Sequence, residues 1–193
     1  TNKKFFRYIN RNPVTSGTYR RFGTNSATIT CNAAGAIPVR NFTKGSHGEA
    51  HKISGEAMAE KFKTKWDTCK PCAILCGHKG TIDGEERHVP EYETVQLLGS
   101  NLEIFDPVII SRWNELCAKY GMDTISLGGT LGWAMEATEK GLIKTDLKFG
   151  SPDGVAEMIE DIALGRGIGK DLGRGCRFAS RKYGGEDFAI HVK

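Results

Sequence analysis

Cys69, Cys72 and Cys76 fall within eight residues of the chain, in the stretch Thr68-Cys69-Lys70-Pro71-Cys72-Ala73-Ile74-Leu75-Cys76-Gly77-His78. Thiolates spaced Cys-x2-Cys-x3-Cys repel one another and oxidise readily unless a soft, positively charged centre holds them, so the spacing points to a bound metal centre. Structural zinc uses four ligands in two separated pairs, and no second pair is present. Three close cysteines and one distant ligand instead suit a 4Fe–4S cluster, each thiolate holding one corner iron. The order is the reverse of the Cys-x3-Cys-x2-Cys that marks radical chemistry on S-adenosylmethionine. Pro71 and Gly77 suit a loop that wraps a compact object. The fourth ligand is left open among Cys31, Cys117, Cys176, His78 and a residue outside this chain. The competing readings are zinc, three disulfides, or buried cysteines acting as small apolar residues.

Two carboxylates follow the triplet, Glu91 and Glu93, in Pro90-Glu91-Tyr92-Glu93-Thr94. Pro90 can open a helix whose first turn then carries both acids, where they complement the helix dipole; next to a metal centre one of them can also move protons. Arg40 and Asn41 lie in the loop Gly35-Ala36-Ile37-Pro38-Val39-Arg40-Asn41-Phe42, as groups able to bind phosphate or a heterocycle edge, or simply solvated and salt-bridged. His47 and His51 sit four apart, but the surrounding glycines argue for loop and surface. Gly165, Gly167 and Gly169 lack the Lys-Ser/Thr of a phosphate loop and a preceding strand, so they read as a break between helices.

The elements that must position these residues read as helices. Short helices are expected over residues 1–50, broken at Pro13, Gly17, Gly23 and Gly35. Ser54 caps a helix running to about Asp67 and delivering the triplet; residues 77–90 are an irregular loop with a turn at Asp83-Gly84. Asp106 and Pro107 start an amphipathic helix to Gly121, and Asp123 caps another in which Gly128, Gly129 and Gly132 admit a close neighbour. Ser151-Pro152 opens a fifth, and a last helix runs through Cys176 and Tyr183 to Gly184-Gly185. Only Phe188 to Val192 looks strand-like. The fold class expected is mainly α, a multi-helix domain with long loops and little or no sheet, formed as one domain over residues 1–193.

Net charge is +4, from 27 Lys+Arg against 23 Asp+Glu, too mild a balance for a nucleic-acid binder, and Arg20-Arg21 and Lys61-x-Lys63-x-Lys65 read as solvated surface. No apolar run approaches a membrane span and no signal peptide opens the chain, so a cytoplasmic, reducing location is expected. A start without Met and an end on an apolar run suggest a piece of a larger protein.

Taken in order, these segments resemble the tungsten-dependent aldehyde:ferredoxin oxidoreductase family. The resemblance rests on the Gly35–Phe42 loop, Ile53-Ser54-Gly55-Glu56, Cys69-x2-Cys72-x3-Cys76-Gly77, Pro90-Glu91-Tyr92-Glu93-Thr94, Gly121-Met122-Asp123-Thr124-Ile125-Ser126 and Phe188–Lys193. It implies a mainly helical middle domain between missing N- and C-terminal domains. It implies that Cys69, Cys72 and Cys76 hold a 4Fe–4S cluster whose fourth cysteine lies in the missing C-terminal domain. It further implies a tungsten or molybdenum bis-pterin beside the cluster, with electrons passing from a small aldehyde to ferredoxin. Glu93, then Glu91, is implied as the proton carrier. The family's Asp-x-x-Gly-Leu-Asp pterin contact reads Ala118-Lys119-Tyr120-Gly121-Met122-Asp123 here, so only Gly121 and Asp123 carry over. The Glu-x-x-His that joins subunits in some members is missing at Arg112–Glu115. A related tungsten subunit of benzoyl-coenzyme A reductases, or a cluster module without chemistry of its own, are the other readings. The isolated chain is expected to have no turnover.

Overall fold

The segment from Thr124 to Glu139 buries residues on every side, Leu127, Thr130, Leu131, Trp133, Ala134 and Met135 among them. A helix with no polar face has to be surrounded by others. The rest of the chain does this in the computed structural model, which describes residues 2–191.

In order, α1 (Asn2–Arg11) buries none of its residues, and a π-helical turn, Val14–Tyr19, leads to one turn of helix, α2 (Arg20–Phe22). Gly23, at φ 68°, redirects the chain through a 3-10 turn, Thr24–Ser26, into α3 (Ala27–Ala33). Pro13, Gly23 and Gly35 do punctuate this region; Gly17 lies inside the π turn. The loop that follows contains three successive left-handed residues, Arg40, Asn41 and Phe42, at φ 49°, 49° and 61°. That conformation costs an L-residue roughly 1–2 kcal/mol each and has to be held by its surroundings.

Ser54 caps α4 (Gly55–Phe62) by accepting from the Ala57 N–H at 3.2 Å. The helix stops five residues short of the expected Asp67, because Lys63 turns left-handed at φ 50°. The chain then extends as β1 (Lys65–Trp66), which pairs with β2 (His78–Ile82) and delivers the cysteine segment in place of a helix end. The stretch expected as an irregular loop is a hairpin. β2 pairs antiparallel with β3 (Glu85–His88), Ile82 opposite Glu85, and the two-residue connection Asp83-Gly84 has φ 56° and 80°. Both residues on the left-handed side make the tight turn that matches strand twist. The sheet has three short strands in the order β1-β2-β3, so the mainly α class holds.

Pro90 precedes α5 (Tyr92–Leu98) with Glu91 at its N-cap. Asp106 caps α6 (Pro107–Tyr120), accepting from the Val108 N–H at 2.8 Å, and Gly121 ends it at φ 66°. Asp123 caps α7 (Thr124–Glu139), accepting from the Ser126 N–H at 2.9 Å. α8 (Val155–Leu164) begins at Gly154, after a turn at Ser151–Asp153 rather than at Ser151 itself. The glycines beyond it separate α9 (Gly169–Leu172) from α10 (Cys176–Tyr183). Phe188 closes a 3-10 turn, Glu186–Phe188, and the next residues pair with no strand; Val192 lies outside the described residues.

α5 and α7 run side by side in the same direction: the Thr94 hydroxyl meets that of Thr124 at 2.7 Å, Leu97 faces Gly128, and Asn101 faces Gly132. A Cβ on Gly128 would sit 2.6 Å from the Leu97 backbone, and one on Gly132 would sit 2.5 Å from the Asn101 amide nitrogen. The expected close approach is therefore made by a neighbouring segment of backbone at Gly128 and by an amide at Gly132, whereas Gly129 has room. Val95, Leu98, Ile110, Trp113, Leu131 and Trp133 form the core between α5, α6 and α7.

Candidate functional site

The cysteines occupy the loop between β1 and β2. Its neck is closed by strand pairing, Trp66 opposite His78, and by the Asp67 N–H donating to the Gly77 carbonyl at 3.0 Å. Gly77 is required there because a Cβ would meet the Asp67 carbonyl oxygen at 2.5 Å. Within the loop Leu75 is left-handed at φ 63°, which aims its N–H at the Cys72 sulfur, 3.4 Å away. That donor, with the Thr68 side chain and then the Ile74 N–H, holds the Cys72 thiol down to about 7. Burial pushes the Cys76 thiol up, and the Glu91 carboxylate adds to this. Cys69 is exposed, and all six cysteines are free thiols, so the three-disulfide alternative is not what the fold uses.

Arg20, expected as solvated surface, braces this loop from α2. Its guanidinium donates to the carbonyls of Ala73 at 2.5 Å and Ile74 at 3.3 Å, and to the Asn10 side chain. Its own carbonyl accepts from the Trp66 indole N–H at 2.6 Å and faces His78 Nε2 at 3.0 Å. His78 Nδ1 lies 2.7 Å from the Cys76 carbonyl oxygen. Both ring nitrogens are thus engaged with backbone, and His78 would have to release one to serve as a metal ligand. The remaining ligand candidates are no closer to this role. The Cys31 thiol interacts with the Tyr92 hydroxyl, and Cys117 and Cys176 lie in the apolar core, where burial pushes both thiols up to about 11.

Glu91 joins the site through Thr24, whose hydroxyl donates to the Glu91 carboxylate at 2.5 Å and accepts from the Tyr92 N–H at 2.9 Å. Glu93 is exposed in the first turn of α5. The Thr94–Thr124 contact places that turn beside the start of α7, and hence near Asp123 and Gly121. One end of the α5–α7 pair therefore carries Glu91, Glu93, Gly121 and Asp123, and the Glu91 carboxylate acts on the Cys76 thiol of the cysteine loop.

Arg40 and Asn41 are at the other end. Arg40 pairs with Glu103 at 2.9 Å and with both oxygens of Glu139 at 2.8 and 3.0 Å, and its guanidinium stacks 4.7 Å from the Phe149 ring centre. Asn41 donates to Glu136 at 2.8 Å and to the Phe188 carbonyl at 2.9 Å. Glu136 and Glu139 lie about 20 Å along α7 from Asp123, at roughly 1.5 Å per residue. These contacts hold the left-handed turn and fasten it to the last turn of α7. His47 caps a 3-10 turn, accepting from the Glu49 N–H, and stacks on Phe105 at 4.3 Å; His51 is exposed.

The residues that sequence reading missed, Arg20 and Thr24, carry no local signal, since the partners each meets in the cysteine loop, its β1 neck and the start of α5 lie 46 to 68 positions away. Among the described residues no three His, Cys, Asp or Glu side chains gather as ligands of a single metal ion. The three thiols influence one another.

Over residues 1–193 the chain matches the family model described as aldehyde ferredoxin oxidoreductase, domains 2 and 3. The tungsten-containing aldehyde ferredoxin oxidoreductase of Pyrococcus furiosus is 36% identical over 96% of this chain, and that of Thermococcus kodakarensis is 34% identical over 96%. An aliphatic sulfonate oxidoreductase subunit of the WOR-like type, also from Pyrococcus furiosus, is 28% identical over 91%. The chain spans about a third of these relatives' length, 32%, 32% and 31%. Among solved structures, the active-site complex BamBC of benzoyl coenzyme A reductase with 1,5-dienoyl-CoA superposes at a TM-score of 0.70, with 19% identity, over 97% of this chain and 31% of that one. That likeness establishes the fold. The chain belongs to the aldehyde ferredoxin oxidoreductase family, matching the part of it formed by domains 2 and 3.

Proposed function

We propose that this chain is the cluster- and cofactor-binding part of a tungsten oxidoreductase that oxidises a small aldehyde to the carboxylic acid and passes the electrons to ferredoxin. The observation that carries the reading is the loop of Cys69, Cys72 and Cys76, closed at a β-paired neck, with one thiol held near neutrality by backbone N–H groups. A cluster takes each thiolate on a separate iron, and three closely spaced cysteines without a second ligand pair suit it better than they suit a single zinc ion. N–H donors to a cysteine sulfur stabilise the thiolate that such a group requires. Cys69, Cys72 and Cys76 would hold the cluster at three corners, with the fourth ligand from the remainder of the protein.

A tungsten or molybdenum bis-pterin, when bound beside it, would supply the two-electron oxidation of the aldehyde with water, releasing two electrons and two protons. Gly121 and Asp123 are the residues proposed to meet it. Glu93, exposed beside them, is proposed to carry a proton on its carboxylate, with Glu91 second because its carboxylate is already tied to Thr24. Arg40 and Asn41 would reach a phosphate or a pterin edge only by releasing Glu103, Glu136 and Glu139, so their part in this reading is to brace α7. The closer sequence kinship to aldehyde oxidoreductases, 36% against 19% for the ring-reducing enzyme, favours the aldehyde reading.

Anaerobic reconstitution with iron and sulfide tests the proposal. The chain is expected to take up about four irons and to give a reduced-cluster paramagnetic signal, both lost in Cys72→Ser. Stoichiometric zinc uptake without iron would overturn it. Alone, the chain is expected to show no aldehyde-dependent dye reduction, because it lacks the rest of the site.

A further inference from the structure

The first 48 residues hold eight Lys and Arg and no Asp or Glu; the first acid is Glu49. Folding concentrates part of this charge. Beside the cysteine loop lies an open groove of about 600 Å³, formed by α2, the end of α4 and β1. Arg20, Arg21, Lys63 and Lys65 line it, with the Trp66 indole on its wall. Three of these cations meet no carboxylate among the described residues: Arg20 is spent on neutral carbonyls and an amide, Arg21 stacks on Phe22, and Lys63 has no ion pair. Lys65 pairs with Glu86, which Lys79 also neutralises. The helix α1, with four cations and no acid, leads to the same place through the Asn10–Arg20 bond.

The wall is also apolar and fixed. Trp66 is 58% exposed although its N–H is tied to the Arg20 carbonyl, and Phe22 and Ala59 line the groove with it. An exposed indole held by a hydrogen bond and bordered by cations that mostly lack acidic partners is the pattern of a small, transient, electrostatically steered protein interface. Arg20, Trp66 and His78 belong both to the groove and to the brace of the cysteine loop. A protein seated in the groove would lie against that loop.

We infer that this groove is the docking surface for a small electron-carrier protein with an acidic face. The inference rests on the cysteine loop holding a redox cluster as proposed above. In each encounter one electron would leave the reduced cluster and reduce the carrier, with no bond made or broken. Charge complementarity selects an acidic carrier, and adjacency to the loop gives its position a use that a nucleic acid or a membrane would not have.

The test uses the full-length, anaerobically purified enzyme and an oxidised ferredoxin of net negative charge. Carbodiimide, which joins a carboxylate to an amine at zero length, is expected to link ferredoxin to Lys63 or Lys65, identified by peptide mass spectrometry. The double variant Arg21→Glu/Lys63→Glu is expected to lower the ratio of ferredoxin-linked to dye-linked rates by about tenfold at low salt, with the difference vanishing as salt screens the charges. Lys170→Glu, on α9, is expected to leave that ratio unchanged. Crosslinks elsewhere with an unchanged ratio overturn the docking site, whether the groove then proves covered by the rest of the enzyme or open to another partner. Iron content and the cluster's paramagnetic signal are measured on the same samples. Their absence from the unmodified enzyme would count against the cluster itself, whereas their presence with an unaltered ratio would count against the groove alone.

Discussion

At Cys72 the Leu75 N–H, aimed at the sulfur by a left-handed φ of 63°, holds the thiol to about 7, while burial pushes Cys117 and Cys176 to about 11. Alkylation needs the thiolate. In the reduced, metal-free chain, iodoacetamide is therefore expected to modify Cys72 with a rate that rises with pH through about 7, falling tenfold per unit below it. Cys117 and Cys176 should stay unmodified until the fold opens. Peptide mapping over a pH series checks this, and a Cys72 midpoint near 9 would contradict it. Arg20 gives a second prediction. Arg20→Met removes every donor its side chain gives to the loop, and amides 73–77 are expected to exchange with deuterium about tenfold faster, with a smaller effect for Arg20→Lys. The cysteines were legible because their chemistry lies in spacing. Arg20 was not, because a charged residue in sequence looks the same whether it meets water or a carbonyl more than fifty positions away.

Among the elements, α7 shows what glycine at a four-residue interval does in a buried helix. Gly128 and Gly132 lower helix propensity, yet they let α5 approach until Leu97 backbone fills the space a Cβ would occupy at 2.6 Å. Gly128→Ala is expected to destabilise the fold by about 2–4 kcal/mol despite the better helix former, measured by urea unfolding. An unchanged or raised midpoint would mean that α5 yields. The hairpin β2–β3 depends on left-handed φ at Asp83 and Gly84, and Gly84→Ala is expected to cost about 1 kcal/mol. Capped helices could be read from Ser54, Asp106 and Asp123, each of which accepts the expected N–H. The hairpin was missed although Asp-Gly announced it, because Glu85-Glu86-Arg87-His88 has no apolar residue and His78-Lys79-Gly80-Thr81-Ile82 has only one, so no alternation marks the strands. The end of α4 was missed because Lys63, a good helix former, takes a left-handed cap that its neighbours impose.

Across the whole molecule, order is distributed unevenly. α1 buries nothing, whereas α7 has nine buried residues, so deuterium is expected to enter α1 amides within seconds and α7 only on global opening. Uniform slow exchange would show that α1 is covered. The mainly α class was legible from helical periodicity and caps, while the assembly of one site from α2, the β1–β2 loop and α5 was not, since each contributes a residue that only tertiary contact brings into register. One bond of that assembly makes the molecule optically informative. Of the three tryptophans, Trp113 and Trp133 are enclosed, and Trp66 alone faces water, its indole tied to the backbone of the arginine that grips the cysteine loop. Its emission should be the red-edge, quencher-accessible part of the spectrum. A change in loop order or a light-absorbing centre within the loop should dim that part first, so the chain carries its own fluorescent gauge of whether the loop is filled.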